Sequence, residues 1–321
     1  MLTSDRFILI FTSMNNVCLL SKPEFGKKIQ ELIKTALEED LGTGDITSNL
    51  IIPEMKKGQG VIIAKEKGVM AGLDVAKSVF KQVDPELVFK PFVRDGAEVK
   101  KEDKVALIQG KVKSILVAER TALNFLSRLS GIATLTKDFV KKTKGTKVKL
   151  LDTRKTTPGL RLLEKYAVKI GGGENHRIGL YDMILVKDNH ITSAGGISSA
   201  LKKVLMDKKG FKIEIETKNL KEVKESLSFK ADKSPTARRV DRIMLDNFKL
   251  KDLKKAVLLI RSKDKKVEIE ASGRVNLKNV RKIALSGVDY ISVGALTHSV
   301  KPLDLSLIFP VNSTRGKERR R

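Results

Sequence analysis

Between Pro23 and Asp40 the apolar residues Ile29, Leu32, Ile33, Ala36 and Leu37 recur at the spacing of one helix face, and Gly42-Thr43-Gly44 ends the run. That pattern predicts a single amphipathic helix. The period then shortens. Residues 61–64, 87–89 and 105–108 are short β-rich runs, separated by Gly68, Gly72, Pro85 and Asp95-Gly96, with a helical stretch near 73–83 between the first two. Together they predict a small α+β unit. Residues 114–142 read as one long or broken helix with Gly131 in its middle.

After that helix, apolar runs alternate with helical stretches, the rhythm of βα units around a parallel sheet. The ends of the apolar runs carry the chemistry. Residues 148–151 lead into Asp152-Thr153-Arg154-Lys155, 183–186 into Lys187-Asp188-Asn189-His190, and 213–215 into Glu216. Residues 243–245 lead into Asp246-Asn247, 267–270 into Ala271-Ser272-Gly273, and 290–293 into Gly294-Ala295. Successive ends lie 22 to 35 residues apart, the length of a βα unit. A parallel barrel builds its active site at such C-terminal strand ends and commonly holds phosphate in the loops after its last strands. A doubly wound nucleotide-binding sheet is the alternative, but the chain has no G-x-G-x-x-G after its first strand and no G-x-x-x-x-G-K-[ST]. A barrel, whether closed or incomplete, is therefore preferred, with six strands visible.

Composition narrows the function. The chain has 321 residues and is 41% hydrophobic, enough for one large core or two smaller ones. Lys and Arg outnumber Asp and Glu by 64 to 38, a formal charge of +26, yet aromatics are 5% and Trp is absent. Single-strand nucleic-acid binding usually relies on aromatic platforms, so the charge points first to phosphate or carboxylate ligands. A nucleic-acid role would rest on the charge and on Arg319-Arg320-Arg321 alone. The single cysteine, Cys18, excludes an internal disulfide and a multi-cysteine zinc site, and a reducing, cytoplasmic location is expected. The longest strictly apolar runs are five residues, where a spanning helix needs about 20. The first 22 residues read as a leader of undetermined structure, residues 226–241 as a solvated basic loop, and 311–321 as a basic tail.

Arg120, Arg154, Lys155, Arg177 and Lys187 lie among the motif residues, so a barrel mouth that gathered them would suit an anion with several charges. Glu216 and Asp246 hold equivalent strand ends one βα unit apart. They can hold Mg²⁺ together with phosphates, stabilise a cationic sugar-like transition state, or simply pair with nearby Lys and Arg. The three histidines, His176, His190 and His298, match no compact metal spacing, which favours hydrogen bonding to an anionic substrate or a structural role. The Ser272-Gly273 and Gly294-Ala295 turns offer backbone N–H groups to a phosphate.

These residues sit inside longer runs. The runs are residues 36–47 (Ala-Leu-Glu-Glu-Asp-Leu-Gly-Thr-Gly-Asp-Ile-Thr), 118–126, 130–133, 151–159 (Leu-Asp-Thr-Arg-Lys-Thr-Thr-Pro-Gly), 171–177 (Gly-Gly-Gly-Glu-Asn-His-Arg), 187–190, 244–247, 270–273 and 293–298. Through them the chain resembles the quinolinate phosphoribosyltransferases over about residues 24–308. The resemblance implies an N-terminal α/β sandwich (23–116, completed by a return strand within 297–310) and an incomplete, seven-stranded α/β barrel (117–296), for which residues 168–170 are the candidate seventh strand. It implies transfer of phosphoribosyl from phosphoribosyl pyrophosphate to quinolinate with decarboxylation, a step of NAD biosynthesis, and a requirement for Mg²⁺.

Carried over by position, Arg154, His176, Arg177 and Lys187 would cradle quinolinate, and Lys155 would reach both substrates. Arg120 would come from a neighbouring subunit, which implies a homodimer or larger homo-oligomer. Glu216 and Asp246 would hold the ribose hydroxyls and Mg²⁺, with Lys155, Glu216 and Asp246 as the catalytic set. Ser272, Gly273, Gly294 and His298 would line the phosphate loops. One departure stands out: Arg274 follows Ser-Gly where the family often has a second glycine.

Overall fold

The computed structural model describes residues 23–206, 210–229 and 239–310. The leader, the basic tail and the middle of the expected basic loop lie outside the described residues. The described chain divides into two compact units: residues 23–134 with 301–310, and residues 135–300. The division falls at 134/135, inside a long helix, later than the expected 116/117, and at 300/301 rather than 296/297.

In the first unit, α1 (Pro23–Leu41) buries Ile29, Ile33 and Leu37. Short α2 (Ile46–Ile51) starts at Asp45, whose carboxylate accepts the Ser48 N–H at 2.9 Å. An antiparallel β layer follows: β1 (Lys57–Ala64), β3 (Val88–Pro91), β5 (Lys104–Lys111) and β12 (Leu305–Ile308), in the order β12-β1-β5-β3. β2 (Gly68–Val69) and β4 (Glu98–Val99) form a separate pair. Helix α3 (Leu73–Val83) buries Val75, Ala76, Val79 and Phe80, the last tilted against Phe89 of β3 at 5.9 Å between ring centroids. Its first amides are capped from a distance in sequence, Asp95 accepting from Gly72 N–H at 2.7 Å and Leu73 N–H at 3.1 Å.

The expected long helix is continuous: α4 (Val112–Thr143) runs for 32 residues. Gly131 does not break it. A Cβ there would stand 2.3 Å from the Lys301 carbonyl oxygen, so the glycine lets the returning chain cross the helix closely. The Leu303 N–H then bonds the Ser127 carbonyl at 2.9 Å and leads into β12, the expected return strand.

In the second unit, β6 (Lys149–Leu151), β7 (Ile184–Val186), β8 (Ile213–Thr217), β9 (Arg242–Asp246), β10 (Glu268–Ser272) and β11 (Tyr290–Ser292) form one parallel sheet in the order β6-β11-β10-β9-β8-β7. The expected seventh strand at 168–170 is instead the last turn of α5 (Arg161–Ile170), a helix that buries Leu163, Ala167 and Val168. The seventh position is marked by a single parallel bridge, Leu151 to Glu174, beside β6. Glu174 N–H donates to Leu150 O at 2.7 Å and Asp152 N–H to Glu174 O at 3.2 Å. Chain order thus follows sheet order around a ring left open between Glu174 and β7.

Helices α6 (Asp188–Ala194), α7 (Ile197–Met206), α8 (Leu220–Ser228), α9 (Leu250–Lys263), α10 (Val280–Ala284) and α11 (Ala295–His298) fill the connections. The expected basic loop is shorter than 226–241. Residues 226–228 close α8, with Ser226 buried, and Arg239 pairs with Asp264 at 2.8 Å.

Candidate functional site

Alternate side chains of a strand share a face, and adjacent parallel strands set those side chains in level rows. On one face β8 presents Glu214 and Glu216, β9 Arg242, Met244 and Asp246, and β10 Glu268, Glu270 and Ser272. In register, Arg242 lies between Glu214 and Glu268, Met244 between Glu216 and Glu270, and Asp246 beside Ser272. The lower rows are closed by charge pairing. The top rows open into a cavity of about 520 Å³ at the C-terminal strand ends.

That cavity is lined by Arg154, Lys155, His176, Arg177, Lys187, Glu216, Asp246, Ser272, Gly273, Gly294 and His298. Every expected site residue is there except Arg120, which sits on α4 in the other compact unit. His190, the remaining histidine, serves structure: its Nδ1 accepts the Lys187 N–H at 3.0 Å at the start of α6.

The basic wall rests on one buried carboxylate. Asp152 follows β6 and is fully buried, accepting from the Lys165 ammonium of α5, from Asn175 Nδ2, and from the His176 N–H at 2.9 Å. Lys165 also donates to the His176 carbonyl at 3.0 Å. One ion pair therefore ties strand β6, which delivers Arg154 and Lys155, to the segment that delivers His176 and Arg177. Thr297 Oγ1 donates to the Lys155 carbonyl at 2.8 Å, fixing the loop after β6 to the short helix after β11. Gly294 lies against both its neighbours there: a Cβ would come 3.0 Å from His298 Nε2 and 3.3 Å from Lys155 Cδ.

The mouth is electrostatically divided. Burial and the Arg154 charge lower the Arg177 pKa, so two guanidiniums are held close against their repulsion. The Arg154 Nε is buried and has no hydrogen-bond partner among the described residues. Across the cavity, burial and the neighbouring Asp246 raise the Glu216 carboxyl, against the pull of Lys187. Two carboxylates near enough to repel make a place for cationic charge, and the Arg and Lys wall a place for anionic charge.

Below the cavity lies a cluster that sequence reasoning missed. His176 Nε2 is 2.9 Å from Glu214 Oε2 and 3.6 Å from Glu270 Oε2, while Arg242 Nη1 lies 2.9 Å from Glu270 Oε2 and 3.9 Å from Glu214. Arg242 also grips Glu268 and covers the Tyr290 ring at 3.9 Å, and Ser292 donates to Glu270. His176, Glu214 and Glu270 are close enough to hold a metal ion, but the Arg242 guanidinium supplies the positive charge. Burial pushes both Glu214 and Glu270 up to about 7, and lowers the His176 imidazole. The readable signal was the two-residue spacing Glu214/Glu216 and Glu268/Glu270/Ser272, which puts buried and lining acids on one face.

The raised carboxyls carry a pH dependence. Between about 4.5 and about 7 the folded chain keeps protons that the unfolded chain has lost, so these groups make stability fall as pH rises through that window. Glu270→Gln is expected to flatten the decline of the melting temperature between pH 5 and pH 8. A variant as steep as the parent would show that Glu270 does not titrate there.

Family models match both units: the quinolinate phosphoribosyl transferase N-terminal domain over residues 45–130 and its C-terminal domain over 132–308. A quinolinate phosphoribosyltransferase [decarboxylating] of Nicotiana tabacum is 45% identical over 293 residues, 87% of this chain and 81% of that protein. A probable nicotinate-nucleotide pyrophosphorylase [carboxylating] of Methanocaldococcus jannaschii is 43% identical, covering 86% and 95%. The solved nicotinate-nucleotide pyrophosphorylase of Francisella tularensis superposes with a TM-score of 0.81 at 41% identity, covering 91% of this chain and 99% of that one. With both domain models matched in order and full-length relatives above two-fifths identity, the chain belongs to the quinolinate phosphoribosyltransferase family.

Proposed function

We propose that this protein transfers the phosphoribosyl group of phosphoribosyl pyrophosphate to quinolinate, with loss of CO₂, giving nicotinate mononucleotide for NAD biosynthesis. The observation that carries the reading is one cavity lined by Arg154, Lys155, Arg177 and Lys187 together with Glu216 and Asp246, with a donor on Arg154 that has no partner among the described residues. A pyridine with two carboxylates meets the guanidinium forks, and a sugar that becomes cationic meets the acids.

The ring nitrogen attacks the anomeric carbon as the bond to pyrophosphate breaks, so positive charge moves from sugar to ring. Arg154, Arg177 and Lys187 fix the carboxylates and hence the nitrogen, and His176 completes that wall. Lys155, between the two binding regions, offsets charge on the departing pyrophosphate. Glu216 and Asp246 hold the ribose hydroxyls and stabilise the anomeric centre as it turns cationic. The 2-carboxylate then leaves as CO₂; its electron pair stays on C2 beside the cationic nitrogen, and C2 takes up a proton. Positioning and fixed electrostatics supply most of the rate.

Glu216 and Asp246 suit Mg²⁺, a hard cation that accepts few protein oxygens and keeps its remaining ligands from water and substrate phosphates. When bound it neutralises pyrophosphate charge. Arg120 acts from a partner subunit in a homo-oligomer, as the family resemblance implies.

The test mixes purified protein with Mg²⁺, phosphoribosyl pyrophosphate and either quinolinate or nicotinate. Stoichiometric nicotinate mononucleotide and CO₂ from quinolinate are expected. Turnover of nicotinate alone, or no nucleotide with either, overturns the proposal.

A further inference from the structure

Among the described residues, three non-glycine positions have positive φ, and two of them flank the cavity: Asn247 at 57° after β9 and Arg274 at 53° after β10. Gly273 between them in space has φ 92°, and a Cβ on it would lie 2.3 Å from Asn247 Oδ1. Asparagine visits this backbone region readily; arginine does not. The turn is nonetheless firmly held. Asn247 N–H donates to Ser272 O at 2.8 Å, and the Arg274 carbonyl accepts from Asn276 Nδ2 at 3.3 Å and Asn279 Nδ2 at 3.0 Å.

Arginine thus stands where glycine would be unstrained, at a residue that lines the cavity beside Ser272 and Gly273. Its guanidinium has no hydrogen bond or ion pair to the described protein, and the residue is exposed. Strained backbone at a cavity rim persists where the side chain it aims contributes to binding. A guanidinium fork matches two oxygens of one phosphate, which the backbone N–H groups of Ser272 and Gly273 alone cannot neutralise.

We propose that Arg274 is a phosphate-binding residue, adding a two-pronged contact to a phosphate group of the sugar substrate beside the Ser272-Gly273 turn. This assignment rests on the phosphoribosyl-transfer reading for its substrate. Its contribution is to affinity, since the contact forms with the bound phosphate and does not depend on charge that develops during transfer.

Backbone and side chain make opposite predictions for Arg274→Gly. Relief at a positive φ stabilises the fold, whereas loss of the fork weakens phosphate binding. Arg274→Gly is therefore expected to melt at or above the parent temperature and to raise KM for phosphoribosyl pyrophosphate about tenfold. KM for quinolinate and kcat should stay within about twofold. Arg274→Lys should recover part of the affinity. Two further arms measure the melting shift produced by inorganic pyrophosphate and by ribose 5-phosphate; the one whose shift collapses in Arg274→Gly identifies the phosphate held. Unchanged KM for phosphoribosyl pyrophosphate, with unchanged shifts by both anions, overturns the assignment. If the parent protein turns over neither pyridine, the transfer reading fails, while the two anion arms still decide whether Arg274 binds phosphate.

Discussion

Lys155→Ala is expected to lower kcat/KM for phosphoribosyl transfer by roughly 10²–10³, with the circular dichroism spectrum and melting temperature unchanged. Lys155 follows β6 at the cavity mouth and is exposed, so truncation leaves no buried void. The bond that fixes its position uses its carbonyl, which Thr297 engages and the substitution keeps. What disappears is an ammonium group on a side chain that lies against Gly294 in the cavity, where the proposed reaction builds charge on the departing pyrophosphate. Activity within about threefold of the parent would remove Lys155 from the chemistry.

The same variant tests subunit sharing. Lys155→Ala and Arg120→Ala, each inactive alone, should regain activity when mixed and allowed to exchange subunits, reaching about a quarter of the parent value for a random symmetric dimer. No recovery on mixing would contradict a site completed by the partner subunit's Arg120.

Asp152→Ala is expected to destabilise the protein by about 3–5 kcal/mol, because it strands the Lys165 ammonium in a site from which water is excluded. The melting temperature should fall on the order of 10 °C. The loss extends beyond one ion pair, since Asp152 also satisfies Asn175 and the His176 N–H. Activity measured well below the melting point should fall as well, through a higher KM for quinolinate, because His176 and Arg177 lose their anchor. Replacing both partners, Asp152→Asn with Lys165→Met, should return much of the stability but little of that affinity. A single variant as stable as the parent would show that the pair is not buried.

The two effects separate what could be read from the sequence from what could not. Strand ends were legible because each apolar run in a parallel sheet stops where the backbone leaves the core, and the polar residue at that stop reaches the mouth. Lys187, Glu216, Asp246 and Ser272 all stand at such stops. Arg154, His176 and Arg177 came with long specific runs such as 151–159 and 171–177. The seventh strand differs from the expectation because Val168 and Ile170 are β-branched yet belong to the last turn of α5, where Val168 is buried, and only one bridge at Glu174 marks the strand position.

Glu214, Arg242 and Glu270 were overlooked for a different reason. Charged residues inside strands resemble solvent-facing positions, and only the register between β8, β9 and β10 shows that they meet one another below the cavity. Asp152 was visible as a motif residue, but its partner Lys165 lies on a helix whose lysines all read as surface.

Strand β12 pairs antiparallel with β1, Val61 opposite Ile308 and Ala64 opposite Leu305. On the ribosome, β1 emerges early and its neighbour only after every strand of the parallel sheet has been made. Throughout that interval the row 61–64, Val-Ile-Ile-Ala, has one open flank able to accept a foreign strand. Nascent chains halted before residue 305 should therefore be the aggregation-prone species of this protein, whatever the condition of the catalytic half.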